Sequence, residues 1–514
     1  MLNEIFVLIP AYRSYETSIN KGSHLDTKQK NSLSIACQLA FIPNASSQLS
    51  SALVSWEDGK ITKVETSPSE DWKKSLDFWK KEIPDLHIYE DKLLTPAFIN
   101  PHTHIAMNLF RGLSASATST KGNMIEDLFY HIESYLTYED VLAFSRLGAY
   151  ENLLNGVGLV WDHYYYGNAV ATALNEVGLT GVVAPTLQDL SGPGKKLWQN
   201  GWEHTYAIHQ DSSLKESGIF AAFGPHASDT CSANLWKKVI QGASELKIPI
   251  HCHLAQSIEE HTRIKERENC SPVQWLESLG LFREDIEVLA VHNIFSDTKD
   301  LAILGGAKQL RLCFCPFSSL VFALPPATEL WDQYKIPWCI GTDCVASNDS
   351  MNIQKELRFI AGMPMYNLSR CNTYLDFISA NHKQDLVAIS KERQKQWENS
   401  NMLRNPESLL HKVWELPGTI HPHFLAGKIE KDHLANLIIW DLDDPSIWPS
   451  RSLHTIAMGD SSRAIYQMIC NGVFKGKDGQ FEASIKHSTD FQDHLKEAKT
   501  RYTQMLRRSG LKES

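Results

Sequence analysis

Short apolar runs alternate with longer amphipathic stretches through the middle of the chain. From Leu94 onward, strand-like segments recur at 97–100, 158–162, 181–184, 219–223, 249–253, 287–292, 310–315 and 338–343, with helix-like segments such as 232–246 and 257–268 between them. Strands that are apolar throughout, each followed by a helical stretch, predict a parallel sheet covered on both faces. Eight such units within about 250 residues predict an α/β fold closed as a (β/α)8 TIM barrel, not an open sheet.

The two ends have a different texture. Near the start, 35–42 is strand-like and 52–56 alternates. Asp58-Gly59 then marks a tight hairpin before the strand-like 61–64. Residues 70–85 suit a helix, and the polar, unpatterned 13–34 reads as an exposed arm. Strand texture returns at 436–441, at 464–470 before the turn Asn471-Gly472, and at 476–479, and 487–508 reads as a closing helix. The expected organisation is a small composite β-sandwich domain made from residues 1–95 and 416–514, with the barrel, 96–415, inserted between them.

Composition narrows the function without naming it. In 514 residues, the formal net charge of −10 and the lack of a basic block argue against a nucleic-acid partner, which demands a cationic surface. No run approaches the length that spans a bilayer, and the apolar run 5–9 is too short for a signal-peptide core. Ten scattered cysteines read as reduced core thiols, Cys313 and Cys315 among them, which points to the cytoplasm. The expected partner is a small molecule, with neither nucleic acid nor membrane. A homodimer is the expected assembly, dimers being the commonest among soluble oligomers.

The chemistry gathers at strand ends. Pro101-His102-Thr103-His104 follows an apolar strand, and residues two apart on a strand face the same side. Two imidazoles aimed together make half of a metal site. A His-x-His pair alone is weak, since the chain also holds His251-His253 and His421-His423. The first pair gains weight from three residues further along the chain, because His253, His292 and Asp343 each close a later strand. The carboxyl ends of barrel strands are where catalytic groups collect.

On these residues the chain resembles the amidohydrolase superfamily, and within it the aminohydrolase and chlorohydrolase branch that contains triazine hydrolases and guanine- and adenosine-type deaminases. The motifs that carry the likeness are Asp58-Gly59-Lys60-Ile61, Leu94 to His104, Phe110-Arg111-Gly112, Gly224-Pro225-His226-Ala227 and Val291-His292-Asn293. They continue through Cys315-Pro316-Phe317-Ser318-Ser319, Gly341 to Asn348, Ala426-Gly427-Lys428-Ile429-Glu430 and Cys470-Asn471-Gly472. The resemblance implies one divalent metal, usually Zn2+ and sometimes Fe2+, on His102, His104, His253 and Asp343. It implies that Asp343 accepts a proton from water, that His292 orients the reacting group and that His226 contacts substrate. Two-metal members carry a lysine at the end of the fourth strand, and here that strand ends in Phe223-Gly224-Pro225-His226.

One departure bears on the reaction. Where the branch places a proton-shuttling glutamate three residues after the strand-five histidine, this chain has Gln256, which can hydrogen-bond but cannot exchange a proton. Three readings stay open: Glu260 shuttles from one helical turn on, although its neighbourhood looks like a solvated helix face; the chemistry needs less at this position, running through Asp343 and His292; or catalysis has weakened and a metal-binding homologue remains. The segment 108–133 should form a lid, with Arg111 and Glu133 as candidate substrate contacts; the aromatic run Trp161-Asp162-His163-Tyr164-Tyr165-Tyr166 either stacks a planar ring or only packs the rim. The expected activity is hydrolytic deamination of a nitrogen heterocycle, with hydrolysis of another C–N, C–Cl or cyclic amide bond as the alternative.

Overall fold

Sixteen strands run through the described residues: β1 (Leu33–Ala40), β2 (Ser50–Glu57), β3 (Lys60–Ser67), β4 (His87–Pro96), β5 (Phe98–Thr103), β6 (Val157–Tyr164), β7 (Thr180–Leu187), β8 (Ile219–Ala221), β9 (Gly224–Pro225), β10 (Ile250–Leu254), β11 (Val288–His292), β12 (Leu310–Phe314), β13 (Trp338–Ile340), β14 (Leu437–Asp441), β15 (Ile465–Cys470) and β16 (Val473–Lys475). The computed structural model describes residues 32–42, 49–112, 125–322, 324, 327–368, 374–399 and 405–511. Most of the arm expected at 13–34, and the middle of the lid expected at 108–133, lie outside these residues. Leu33 and Ser34, assigned to that arm, belong to β1.

The middle strands are parallel. One sheet runs β5-β6-β7-β8 and another β10-β11-β12-β13. Every residue of β5, β6, β7, β10 and β11 is buried, as expected of strands with both faces covered. The two sheets meet at both edges through single parallel bridges, Phe223 with Ile250 and Thr103 with Asp343. Helices fill the intervals where the sequence places amphipathic stretches. Ser232 and Ser257 cap two of them by accepting the N–H of the third helical residue, at 3.2 and 3.1 Å.

The chain ends share one mixed sheet, ordered β16-β15-β14-β4-β1-β2-β3. Hydrogen bonding runs continuously through this sheet from one chain end to the other. The link is β4, which pairs parallel with β1 on one side and antiparallel with β14 on the other. Asp58 and Gly59 both adopt positive φ, the geometry that a two-residue hairpin demands. Trp56 crosses from one end of the chain to the other, its indole N–H donating to the Gly472 carbonyl at 2.8 Å. The strand expected at 476–479 is a turn, and the ladder with β15 is made by Val473–Lys475 just before it, because Asn471-Gly472 reverses the chain at once. Trp72–Glu82 and Thr489–Ser509 are helices close to the expected bounds. No helix among the described residues is long and apolar enough to cross a membrane.

Candidate active site

Four strand ends converge. His102 lies within β5, which runs three residues further than its apolar run suggested, and His104 follows where the chain leaves the strand. Asp343 follows β13 and is held beside β5, its N–H donating to the His102 carbonyl at 3.1 Å. Its Oδ1 lies 3.6 Å from His102 Nε2 and 3.4 Å from His104 Nε2. His292 closes β11 with its Nε2 3.8 Å from Asp343 Oδ2, and His253 on β10 brings its ring centroid to 5.0 Å from that of His102. His292 and Asp343 adopt φ of 75° and 60°. Side-chain-bearing residues enter this left-handed region at a cost of about 1–3 kcal/mol, and such strain gathers where a side chain must be aimed.

The neighbours of these rings decide which nitrogen is free. His104 Nδ1 meets the His163 carbonyl and His253 Nδ1 meets the His226 carbonyl, the latter at 2.9 Å. A ring nitrogen facing a carbonyl carries the proton, so each Nε2 keeps a bare lone pair. His102 Nδ1 sits 2.9 Å from His251 Nε2. Its own Nε2, and both nitrogens of His292, have no hydrogen-bond partner although both residues are buried. Burial lowers the pKa of His102 to about 3 and depresses those of His104, His253 and His292 as well, so the rings are neutral near pH 7. Asp343 accepts from the Ser318 hydroxyl at 2.7 Å and the Cys344 N–H at 2.8 Å, two donors that favour its charged form. Neutral imidazoles with unpaired nitrogens beside an anchored carboxylate suit a divalent cation. The donor atoms of His102, His104 and Asp343 lie within 4.8 Å of one another, as do those of His102, His253 and His292.

A cavity of about 70 Å³ opens over the cluster, lined among others by His104, Glu133, Tyr164, Tyr165, His226, Gln256, His292 and Asp343. A larger hollow of about 1010 Å³, between the 314–324 and 348–363 segments, contains none of the histidines. The site residues named from the sequence therefore meet, with one exception. Arg111 does not line the cavity; its exposed guanidinium is held by Glu151 at 2.6 Å and by the Asp349 carbonyl. Burial pushes the Glu133 carboxyl up to about 8 against the neighbouring Tyr164 hydroxyl, which pulls it down. Tyr166 turns away and donates to the Leu136 carbonyl at 3.3 Å.

Glu260 is not the solvated residue its sequence neighbours suggested. It is buried, accepts from the Ser228 hydroxyl at 2.5 Å and from the Gln256 N–H at 2.8 Å, and does not line the cavity. It props the turn that presents Gln256. The supports His251, His163 and Ser318 were not picked out as such from the sequence. His251 alone had a readable signal, since two residues before His253 on a strand means the same face, one layer down.

Comparison with known proteins identifies relatives and structural neighbours. The chain is 25% identical over 451 residues to 5'-deoxyadenosine deaminase of Methanopyrus kandleri, covering 85% of this chain and 94% of the relative. Among solved structures, an adenosine deaminase from Xanthomonas campestris with bound zinc superposes with a TM-score of 0.71 at 18% identity, over 92% of this chain and 98% of that one. The zinc complex of atrazine chlorohydrolase from Arthrobacter aurescens TC1 does so with a TM-score of 0.71 at 15% identity, over 91% and 100%. The family model for the amidohydrolase family matches residues 93–380, more than half of the chain and all four of the strand ends described above, and the chain belongs to that family.

Proposed function

We propose that this chain is a metal-dependent hydrolase that removes the exocyclic amino group of a purine nucleoside related to adenosine, releasing ammonia. The observation that carries this reading is the set of unpaired, neutral histidine nitrogens around the anchored carboxylate of Asp343, at the floor of a cavity. The kinship with a 5'-deoxyadenosine deaminase supports the substrate class. In this reading β5 to β8 and β10 to β13 form one closed (β/α)8 barrel, which the two edge bridges support. The mixed sheet from 1–95 and 416–514 is a separate domain around the barrel domain 96–415. The free state of every described cysteine supports a cytoplasmic setting.

His102, His104, His253 and Asp343 would hold one divalent ion, Zn2+ in the first place. Such an ion supplies Lewis acidity and makes hydroxide available near neutral pH. The rest falls to the chain. Asp343, fixed by Ser318 and Cys344, accepts the proton of the attacking water. His292, with both nitrogens free, orients the ring at the reacting carbon. Gln256 holds the substrate by hydrogen bonds, and the proton reaches the leaving amine through Asp343 and His292. Glu133, largely protonated near pH 7, donates a hydrogen bond to the substrate rim beside His226.

Elemental analysis of protein purified without added metal or chelator, followed by an ammonia-release screen of adenosine derivatives, tests this directly. About one equivalent of zinc, lost in His102→Ala, together with ammonia from a purine nucleoside, supports it. Halide or alkylamine release instead redirects the reading within the hydrolases. Bound metal with no turnover, in the natural protein and in Gln256→Glu alike, leaves a metal-binding homologue in which Gln256 marks lost catalysis.

A further inference from the structure

The carboxylate of Asp343 looks two ways. Its Oδ1 faces His102 and His104, and its Oδ2 faces His292 on the other side at 3.8 Å. A thiol lies close to both His292 and Asp343. Cys315 follows β12, is fully buried, and its Sγ lies with a ring nitrogen of His292 and a carboxylate oxygen of Asp343 in a group whose atoms are all within 4.8 Å of one another. His292 is 2% exposed and neither of its nitrogens has a hydrogen-bond partner. Thiol, imidazole and carboxylate at this spacing are the donor set of a borderline or soft divalent cation; magnesium and calcium ions prefer all-oxygen sites.

We propose that His292, Cys315 and Asp343 form a second, thiophilic cation site that shares Asp343 with the first, and that filling it inhibits the enzyme. The inhibitory clause rests on the function proposed above, because it withdraws His292 and one oxygen of Asp343 from the substrate; the binding clause does not. Binding forms a metal–sulfur bond and releases the thiol proton to solvent. Because the thiol must give up its proton to bind, the site selects cations of high sulfur affinity. The Ser318 hydroxyl, which donates to Asp343 Oδ2 at 2.7 Å, helps to hold the carboxylate in place. Zinc in excess of one equivalent, and cadmium, are the expected occupants.

The test is a titration of the zinc-loaded protein with cadmium chloride, read by elemental analysis and by the ultraviolet thiolate-to-cadmium charge-transfer band. One further equivalent and the band are expected in the natural protein and in Cys270→Ser, which removes a partly exposed thiol, and both are expected to vanish in Cys315→Ser. Ammonia release in Cys315→Ser should tolerate about 10-fold more cadmium or zinc than the natural protein. Absence of the band, or its persistence in Cys315→Ser, overturns the site. Should Cys315→Ser not fold, X-ray absorption at the cadmium edge of the natural protein decides: one sulfur among nitrogen and oxygen neighbours supports the site, and no sulfur or several overturns it. A cadmium band in a protein with no turnover supports the site and counts against the hydrolytic reading.

Discussion

His102-Thr103-His104 and His421-Pro422-His423 are the same short pattern with opposite fates. At the second, His421 is buried and both nitrogens are used: Nε2–H donates to the Ala221 carbonyl at 3.1 Å and Nδ1 accepts the His423 N–H at 3.2 Å. Its ring stacks on Phe424 with centroids 4.9 Å apart, beside an apolar cluster that includes Ile99, Leu159 and Phe220. At the first, His102 Nε2 is equally buried and has no partner. A buried polar atom left unpaired costs about 1–3 kcal/mol, a cost that a bound cation would offset at His102. The satisfied pair reads as structural, and the unsatisfied one belongs to the proposed metal site. The third pair divides the roles between its members, His251 supporting His102 while His253 offers its Nε2.

The comparison can be broken most forcefully at the carboxylate both kinds of donor depend on. Asp343→Asn should cut ammonia release by about two to four powers of ten, measured beside the metal content of the same preparation. His251→Phe should weaken metal binding by about 10–100-fold with the fold intact, as loss of a supporting partner does, read by competition with a chromophoric chelator. His421→Ala should do the reverse. It leaves the metal content unchanged and costs about 2–4 kcal/mol in denaturant unfolding, since it empties core volume and strips partners from two backbone groups. A metal-depleted His421→Ala protein would dissolve the contrast.

The smallest expected effect concerns acid. Burial holds His421 down to about 3 from the ordinary 6.5, so the unfolded chain takes up a proton that the folded protein refuses. Its contribution to stability is present in full above pH 6.5 and is lost as pH falls toward 3. His421→Gln, which does not titrate, should reduce the slope of stability against pH in that window by at most about 1.4 kcal/mol per pH unit. Saturating zinc should leave this difference in slope in place, because His421 is no part of the metal set. Urea unfolding at several pH values reads it.

Much of the site was legible because strand ends can be read by eye. Period-two alternation put His102 with His104, and the apolar runs before His253, His292 and Asp343 marked where each chain turns out of its sheet. Arg111 and Glu260 misled for a common reason. Each is a charged residue whose partner lies far along the chain or across a helix cap: Glu151 and Asp349 for Arg111, Ser228 and the Gln256 N–H for Glu260. Neither partner leaves a periodic trace. The thiol of Cys315 was read as packing, since its proximity to His292 depends on how two neighbouring strands end.

What the sequence determined by itself was local and periodic: the βα rhythm, the hairpin at Asp58-Gly59, and the histidines and aspartate at strand ends. These follow from side-chain alternation and backbone preference, which act within a few residues. Only the tertiary structure decided that the sheet from the two chain ends is continuous, that Glu260 is buried, and which histidine nitrogens are satisfied. Those outcomes rest on contacts between segments up to several hundred residues apart, such as Trp56 with Gly472 and His421 with Ala221, and hydrogen-bond satisfaction exists only once the chain has closed around each buried atom.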